Sequence, residues 1–212
     1  MGEVRILGGS LRGRRLPVAP GVRPTESRVR EALLSIWGPR LAEARLLELF
    51  AGSGALSFEA LGRGAASALL VERSRRALEL LRAAVRRLDV PARVVHLDLP
   101  GGLARLDPRR DGGFDLVFAD PPYAFDRHAD LLAALVPLLA SDAEVVIEHG
   151  PQPTPPDAVA GLERIGTRRY GDCRLSVYRG LSSADSATRY PARDPDDLDS
   201  SSSTGCHMLR RR

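Results

Sequence analysis

From residue 44 onward, short apolar runs of strand length alternate with segments whose apolar positions recur every three or four residues. The runs at 46–50, 68–71, 93–97, 114–119 and 145–148 predict five buried strands. A helix follows Gly54 and carries Phe58, Glu59 and Leu61. A second spans 74–88, with Leu78, Leu81 and Val85 on one face, and a third spans 126–139. Strands alternating with helices predict a parallel sheet covered on both faces. The runs at 162–165 and 174–179 have no helix-length segment between them, so they predict an antiparallel hairpin at one edge of the sheet.

The first 40 residues read differently. Gly8-Gly9-Ser10 is a turn signal within 4–16, and the flanking runs predict a hairpin, punctuated at its end by Gly13 and Pro17. Pro24-Thr25 opens a helix that Thr25 can cap. Val29, Leu33, Ile36 and Trp37 share one of its faces, and Gly38-Pro39 ends it. Arg28 and Arg30 are expected on its other faces, pointing outward. Past Ser182 the chain is rich in serine and aspartate. This predicts a disordered tail, or a cloning or gene-end artefact, and no function is assigned to it. The expected organisation is a basic extension over 1–40, an α/β domain over 41–180 and a tail over 181–212.

The 212 residues are 43% hydrophobic and 27% charged, a globular composition. The apolar run at 131–140 falls far short of the roughly 20 residues a membrane helix needs. The N-terminus has no apolar stretch of signal-peptide type, so a cytoplasmic protein is expected. Cys173 and Cys206 form no CxxC pattern, and His96, His128, His149 and His207 show no metal-ligand spacing, so neither a disulfide framework nor a metal is expected. Lysine and asparagine are both missing, as codon bias explains, and all 31 basic residues are arginine. Arginine content alone therefore says little, and its placement says more. Residues 1–40 hold eight arginines against three acids, 41–180 hold 18 against 19, and 181–212 hold five of each. A basic arm on a near-neutral body suits a polyanion, because neutralising phosphates releases counterions. Arg12, Arg14, Arg15, Arg23, Arg28 and Arg30 are the candidate contacts.

Two motifs carry chemistry. Glu48-Leu49-Phe50-Ala51-Gly52-Ser53-Gly54 closes the first strand of the sheet. Its glycines let the backbone turn sharply beside a ligand, at the crevice where α/β sheets hold nucleotides. Glu72 ends the second strand, where a carboxylate can hold ribose hydroxyls. A dinucleotide fingerprint needs a third glycine, and this chain has Ser57 there. The second motif, Asp120-Pro121-Pro122-Tyr123, ends the fourth strand. Its prolines aim the Pro121 carbonyl into the crevice, where it and the Asp120 carboxylate accept hydrogen bonds from an amino group. Tyr123 offers a face for a planar ring. Together they grip the exocyclic amine of a base taken out of its stack.

Asp-Pro-Pro-Tyr resembles motif IV of the amino-methyltransferases that use S-adenosylmethionine, and Leu-Glu-Leu-Phe-Ala-Gly-Ser-Gly-Ala resembles their motif I. Several further segments resemble the RsmD group, the 16S rRNA guanine-N2 methyltransferases. They are Arg5-Ile6-Leu7-Gly8-Gly9, Arg12-Gly13-Arg14, Arg23-Pro24-Thr25, Arg28-Val29-Arg30-Glu31-Ala32-Leu33, Glu59-Ala60-Leu61-Gly62-Arg63-Gly64-Ala65 and Tyr170-Gly171-Asp172. The resemblance covers about 4–179. It implies a class I methyltransferase (Rossmann-like) fold, a seven-stranded mostly parallel sheet with an antiparallel edge hairpin. It implies S-adenosylmethionine as cofactor, held by Glu48, Phe50, Ala51, Gly52, Ser53, Gly54 and Glu72, with Asp98 beside the adenine. Asp120, Pro121, Pro122 and Tyr123 become the catalytic loop, and 16S rRNA, within a small ribosomal subunit or its assembly intermediate, becomes the partner. The sequence leaves the oligomeric state open, and a monomer is the default expectation. The chain departs from the group at Ser57, Ala84 and Cys173, where glycine, asparagine and threonine are usual. The same tetrapeptide also suits a DNA adenine-N6 or cytosine-N4 methyltransferase. A catalytically inactive RNA-binding assembly factor is a further alternative, which the intact Asp120 argues against. Ser57 disfavours a nicotinamide oxidoreductase.

Overall fold

The apolar runs assemble into one eight-stranded sheet in the computed structural model, which describes residues 2–21 and 27–180. A hairpin of β1 (Gly2–Arg5) and β2 (Arg15–Val18) leads to helix α1 (Ser27–Trp37). Then follow β3 (Arg45–Leu49), α2 (Ala55–Gly62), β4 (Ser67–Glu72), α3 (Arg75–Leu88) and β5 (Ala92–His96). A short α4 (Pro108–Asp111), β6 (Phe114–Ala119), α5 (His128–Leu135) and β7 (Leu139–His149) continue the chain. β8 (Ala158–Val159), β9 (Leu162–Tyr170) and β10 (Cys173–Gly180) complete it. The strand order is β5-β4-β3-β6-β7-β10-β9-β8. The first five strands in that order are parallel, and β10, β9 and β8 add antiparallel.

Seven of these strands are the expected ones. The eighth, β8, has two residues, too few for any alternation to register in the sequence. The last helix ends at Leu135 rather than 139, because Pro137 turns Val136–Leu138 into a 3-10 segment. β7 consequently starts at Leu139, six residues before the apolar run that announces it, with Ser141 and Asp142 exposed along it.

Strand alternation divides the core in two. Leu46, Leu70, Leu116, Phe118, Val146, Leu175 and Val177 face one side, packed with residues of α1, α2 and α3. Leu47, Leu49, Val71, Val117, Val145 and Ile147 face the other, against Leu131, Leu132 and Leu135 of α5. Ile6 and Leu16 of the hairpin segment, and Val29, Leu33, Leu34 and Trp37 of α1, are buried in the first core. The basic extension therefore shares its hydrophobic core with the sheet. Gly9 makes this docking close. Its φ is +72°, Ser10 N–H donates to the Gly62 carbonyl at 2.7 Å, and a Cβ on Gly9 would sit 2.2 Å from that oxygen.

Arg30 corrects the outward placement expected of it. It is 1% exposed, on the inner face of α1 beside Val29, Leu33 and Leu34. Its Nε donates to Glu59 Oε1 at 3.2 Å, and its guanidinium also donates to the Arg5 carbonyl at 3.4 Å. Leu7 N–H donates to the same Glu59 oxygen at 3.3 Å, and Glu59 is 0% exposed. A buried guanidinium needs a buried carboxylate, and the one it uses lies 29 residues along the chain. Among the described residues, no helix is long and apolar enough to cross a membrane, and no group of His, Cys, Asp and Glu is arranged to hold a metal.

Candidate active site

The register of the parallel strands brings acids from four of them to one edge. Glu48 pairs with Leu70 on β4 and with Phe118 on β6, and Phe118 pairs with Val146 on β7. Two residues further along, side chains return to the same face. Glu72, Glu48, Asp120 and Glu148 thus share one face at the carboxyl ends of neighbouring strands. They line a cleft of about 760 Å³ together with Phe50, Ala51, Gly52, Ser53, Arg73, Pro121, Pro122, Tyr123 and, where β9 turns into β10, Tyr170, Gly171, Asp172 and Cys173. Pro20 and Gly21, which follow β2, line it too, so the basic extension reaches its wall.

The Gly-rich turn is held by carboxylates. Glu72 Oε1 accepts from Arg73 N–H (2.8 Å) and Ser74 N–H (2.7 Å), and Oε2 accepts from Gly52 N–H (2.8 Å). A carboxylate has about four acceptor positions, so one on Oε2 stays available to a hydroxyl, where the sequence suggested a pair. Phe50 takes φ +57°, rare for an aromatic residue. Its ring meets Phe125 edge-on with centroids 5.4 Å apart, and Phe125 continues to His128 at 5.2 Å. Below the turn, Glu48 Oε2 accepts from Ser57 N–H at 3.1 Å and from the Ser57 hydroxyl. Burial pushes the Glu48 carboxyl up to about 7, with the nearby Asp120 charge adding to the rise and the Ser57 bonds opposing it.

Other expected residues fall elsewhere. Gly54 lies outside the cleft lining. With φ +69°, a Cβ there would meet Leu70 at 2.6 Å and Leu81 at 2.7 Å, so this glycine lets α2 approach the sheet. Asp98 is exposed, also outside the lining, with an oxygen 3.8 Å from Arg73. Arg12, Arg14 and Arg28 are exposed and form no ion pair with another described residue. Arg15 is exposed and pairs with Glu3 at 3.0 Å. Arg23 and the Pro24-Thr25 cap lie outside the described residues, as do His207, Cys206 and the whole of 181–212. Glu148 and Cys173 join the cleft lining without a place in the sequence motifs. Glu148 had the same signal as Glu72, a carboxylate ending a strand. Cys173 Sγ donates to Glu148 Oε1 at 3.1 Å.

The chain has matches among known proteins. The sequence matches the family described as Conserved hypothetical protein 95 over residues 4–179. YlbH from Bacillus subtilis is 31% identical over 182 residues, which are 83% of this chain and 98% of that protein. The chain belongs to the RsmD family. Ribosomal RNA small subunit methyltransferase D of Escherichia coli is 43% identical over 125 residues, 58% of this chain and 61% of that enzyme. Among solved structures, YhhF from Escherichia coli superposes with a TM-score of 0.71 at 35% identity, covering 84% of this chain and 98% of that one.

Like its relatives, this RsmD-family chain has the class I methyltransferase fold and is an S-adenosylmethionine-dependent methyltransferase. The cleft fits that cofactor. Four carboxylates (Glu72, Asp120, Glu148, Asp172) line it with Glu48, itself raised to about 7, against one arginine, Arg73, a field that favours a cationic sulfonium. Glu72 and the Gly52 turn are the residues that would hold it.

Glu48 gives a pH signature. Its folded value lies above its unfolded value, so the native state binds the extra proton. Stability is then full below the ordinary carboxylate range and is lost as pH rises through about 7. The difference in unfolding free energy between wild type and Glu48→Gln should change by about 3 kcal/mol across that window, measured by urea denaturation from pH 4 to 8. A constant difference would assign Glu48 an ordinary ionised role.

Proposed function

We propose that this enzyme methylates the exocyclic N2 amine of a guanine in 16S rRNA, within a small ribosomal subunit or its assembly intermediate, acting as a cytoplasmic monomer. The observation that carries this reading is the Asp120-Pro121-Pro122-Tyr123 loop opening onto the cleft. Tyr123 is 54% exposed at its mouth, and the arginine-bearing extension forms part of the wall. The name of the Escherichia coli relative supports the choice of small-subunit rRNA.

S-adenosylmethionine, when bound, supplies a methyl group activated on a sulfonium. The chain's own residues do the rest. Tyr123 presents its ring face to a flipped base. Asp120 and the Pro121 carbonyl accept hydrogen bonds from the two amine N–H groups and turn the nitrogen lone pair toward the cleft. The same acceptors stabilise the positive charge that builds on nitrogen. Phe50, braced by Phe125, gives the cleft an apolar wall beside the Gly52 turn. The acidic cleft holds no anion well, so phosphates belong outside, on Arg12, Arg14 and Arg28.

The test is transfer of radiolabelled methyl to small subunits lacking the modification, to naked rRNA and to DNA, followed by nucleoside analysis. N2-methylguanosine from the ribosomal substrate is expected. N6-methyladenine or N4-methylcytosine in DNA would overturn the target. Replacing Arg12, Arg14 or Arg28 by alanine should weaken rRNA binding at every sequence alike. Each should also reduce the slope of log K against log salt by about 0.7–0.9 for every phosphate that the arginine neutralises. An unchanged slope would remove that arginine from the interface.

A further inference from the structure

The amine-gripping loop does not by itself distinguish guanine from adenine or cytosine, since each base carries an exocyclic amine. The ring positions flanking that amine do distinguish them, because only guanine, through N1, has a donor there (its N3 accepts). In guanine the neighbouring N1 carries a proton and donates. In adenine N1, and in cytosine N3, the neighbouring nitrogen carries a lone pair and accepts. A site built for guanine therefore needs a hydrogen-bond acceptor next to the amine site, and one built for adenine or cytosine needs a donor.

We infer that Glu148 is that acceptor, taking the N1–H of the target guanine beside the amine held by Asp120, and so sets the enzyme's choice of base. This rests on the proposed function. Four observations carry it. Ala119 pairs with Ile147, so Asp120 and Glu148 are the next residues on adjacent parallel strands, with backbones about 4.8 Å apart. Both line the same cleft. Glu148 is 8% exposed, on a strand within the sheet, which gives its carboxylate a defined place. Cys173 Sγ donates to Oε1, so the group already acts as an acceptor and is oriented from the β9–β10 turn. Asp172, the other carboxylate on that side, is exposed on the turn and offers no such fixed position. Gly150, two residues beyond Glu148, completes the arrangement. A Cβ there would lie 3.3 Å from the Tyr123 ring, so the end of β7 packs under the stacking residue as well.

A carboxylate at this place attracts guanine N1–H and repels the lone pair of adenine N1 or cytosine N3. Glutamine in its place presents both an acceptor and an amide donor, and so accommodates either partner.

The experiment uses small subunits reconstituted with rRNA carrying either guanine or 2-aminopurine at the methylated position. The analogue keeps the N2 amine, but its N1 is an acceptor. Wild type should prefer guanine by at least about 100-fold in kcat/KM. Glu148→Gln should lose most of its rate on guanine, gain on 2-aminopurine, and bring the ratio within about tenfold. Its thermal stabilisation by S-adenosylhomocysteine should remain, which shows the fold and cofactor site intact. Equal loss on both substrates, with the ratio preserved, would overturn the assignment while leaving the proposed function in place. Methyl on adenine or cytosine with wild type would overturn the proposed function and this inference with it.

Discussion

Asp120→Ala should lower the rate of methyl transfer by about 10²–10³-fold while leaving the thermal stabilisation by S-adenosylhomocysteine nearly unchanged. The reason is where the carboxylate acts. It lines the cleft one residue past β6, next to Pro121, and in the proposed mechanism its partner is the amine rather than the cofactor. An acceptor aimed at a developing charge is worth most in the transition state, and losing one preorganised group of this kind costs about that factor. The methylated ammonium product is strongly acidic, so no dedicated base is needed. Asp120→Asn keeps one acceptor and should fall between wild type and alanine. Single-turnover transfer alongside melting curves with and without S-adenosylhomocysteine decides it. Equal loss of turnover and cofactor stabilisation would place Asp120 in the cofactor site instead.

The second large effect is expected far from the chemistry. Arg30→Ala should destabilise the protein by about 3–5 kcal/mol, because among the described residues it leaves the buried Glu59 carboxylate with only the Leu7 N–H and the partly exposed Arg63 guanidinium at 3.9 Å. For a chain of this size that is a fall in Tm of roughly 10 °C. Arg30 and Glu59 are 1% and 0% exposed, and Leu7 and Arg5 bond into the same pair, so the loss also weakens the anchoring of the hairpin that carries Arg12 and Arg14. The control is Arg30→Met with Glu59→Leu, which removes both charges and should recover much of the loss. A surface RNA contact would behave oppositely, with unchanged melting and weakened rRNA binding.

Much of this molecule is legible in its sequence, and the reason is local. The period of apolar residues follows from strand and helix geometry, so the alternating elements of 44–180 follow from spacing. The Gly52 turn and the two prolines after Asp120 restrict their own backbone, so both motifs declare a place at strand ends. Glu48, Glu72 and Asp120 do meet in one cleft, because strands of a parallel sheet share a direction. Tertiary structure decided the rest, wherever a residue's role depends on a partner distant in sequence. Arg30 reads as a surface charge until Glu59 is placed beside it. Gly54 reads as a ligand-loop glycine until Leu70 and Leu81 occupy the space of its Cβ. Glu148 reads as the end of a strand until register sets it next to Asp120 and the returning β10 brings Cys173 against it. Periodicity reports which way a side chain points along its own element. What it meets there is decided by the packing of elements far apart in the chain.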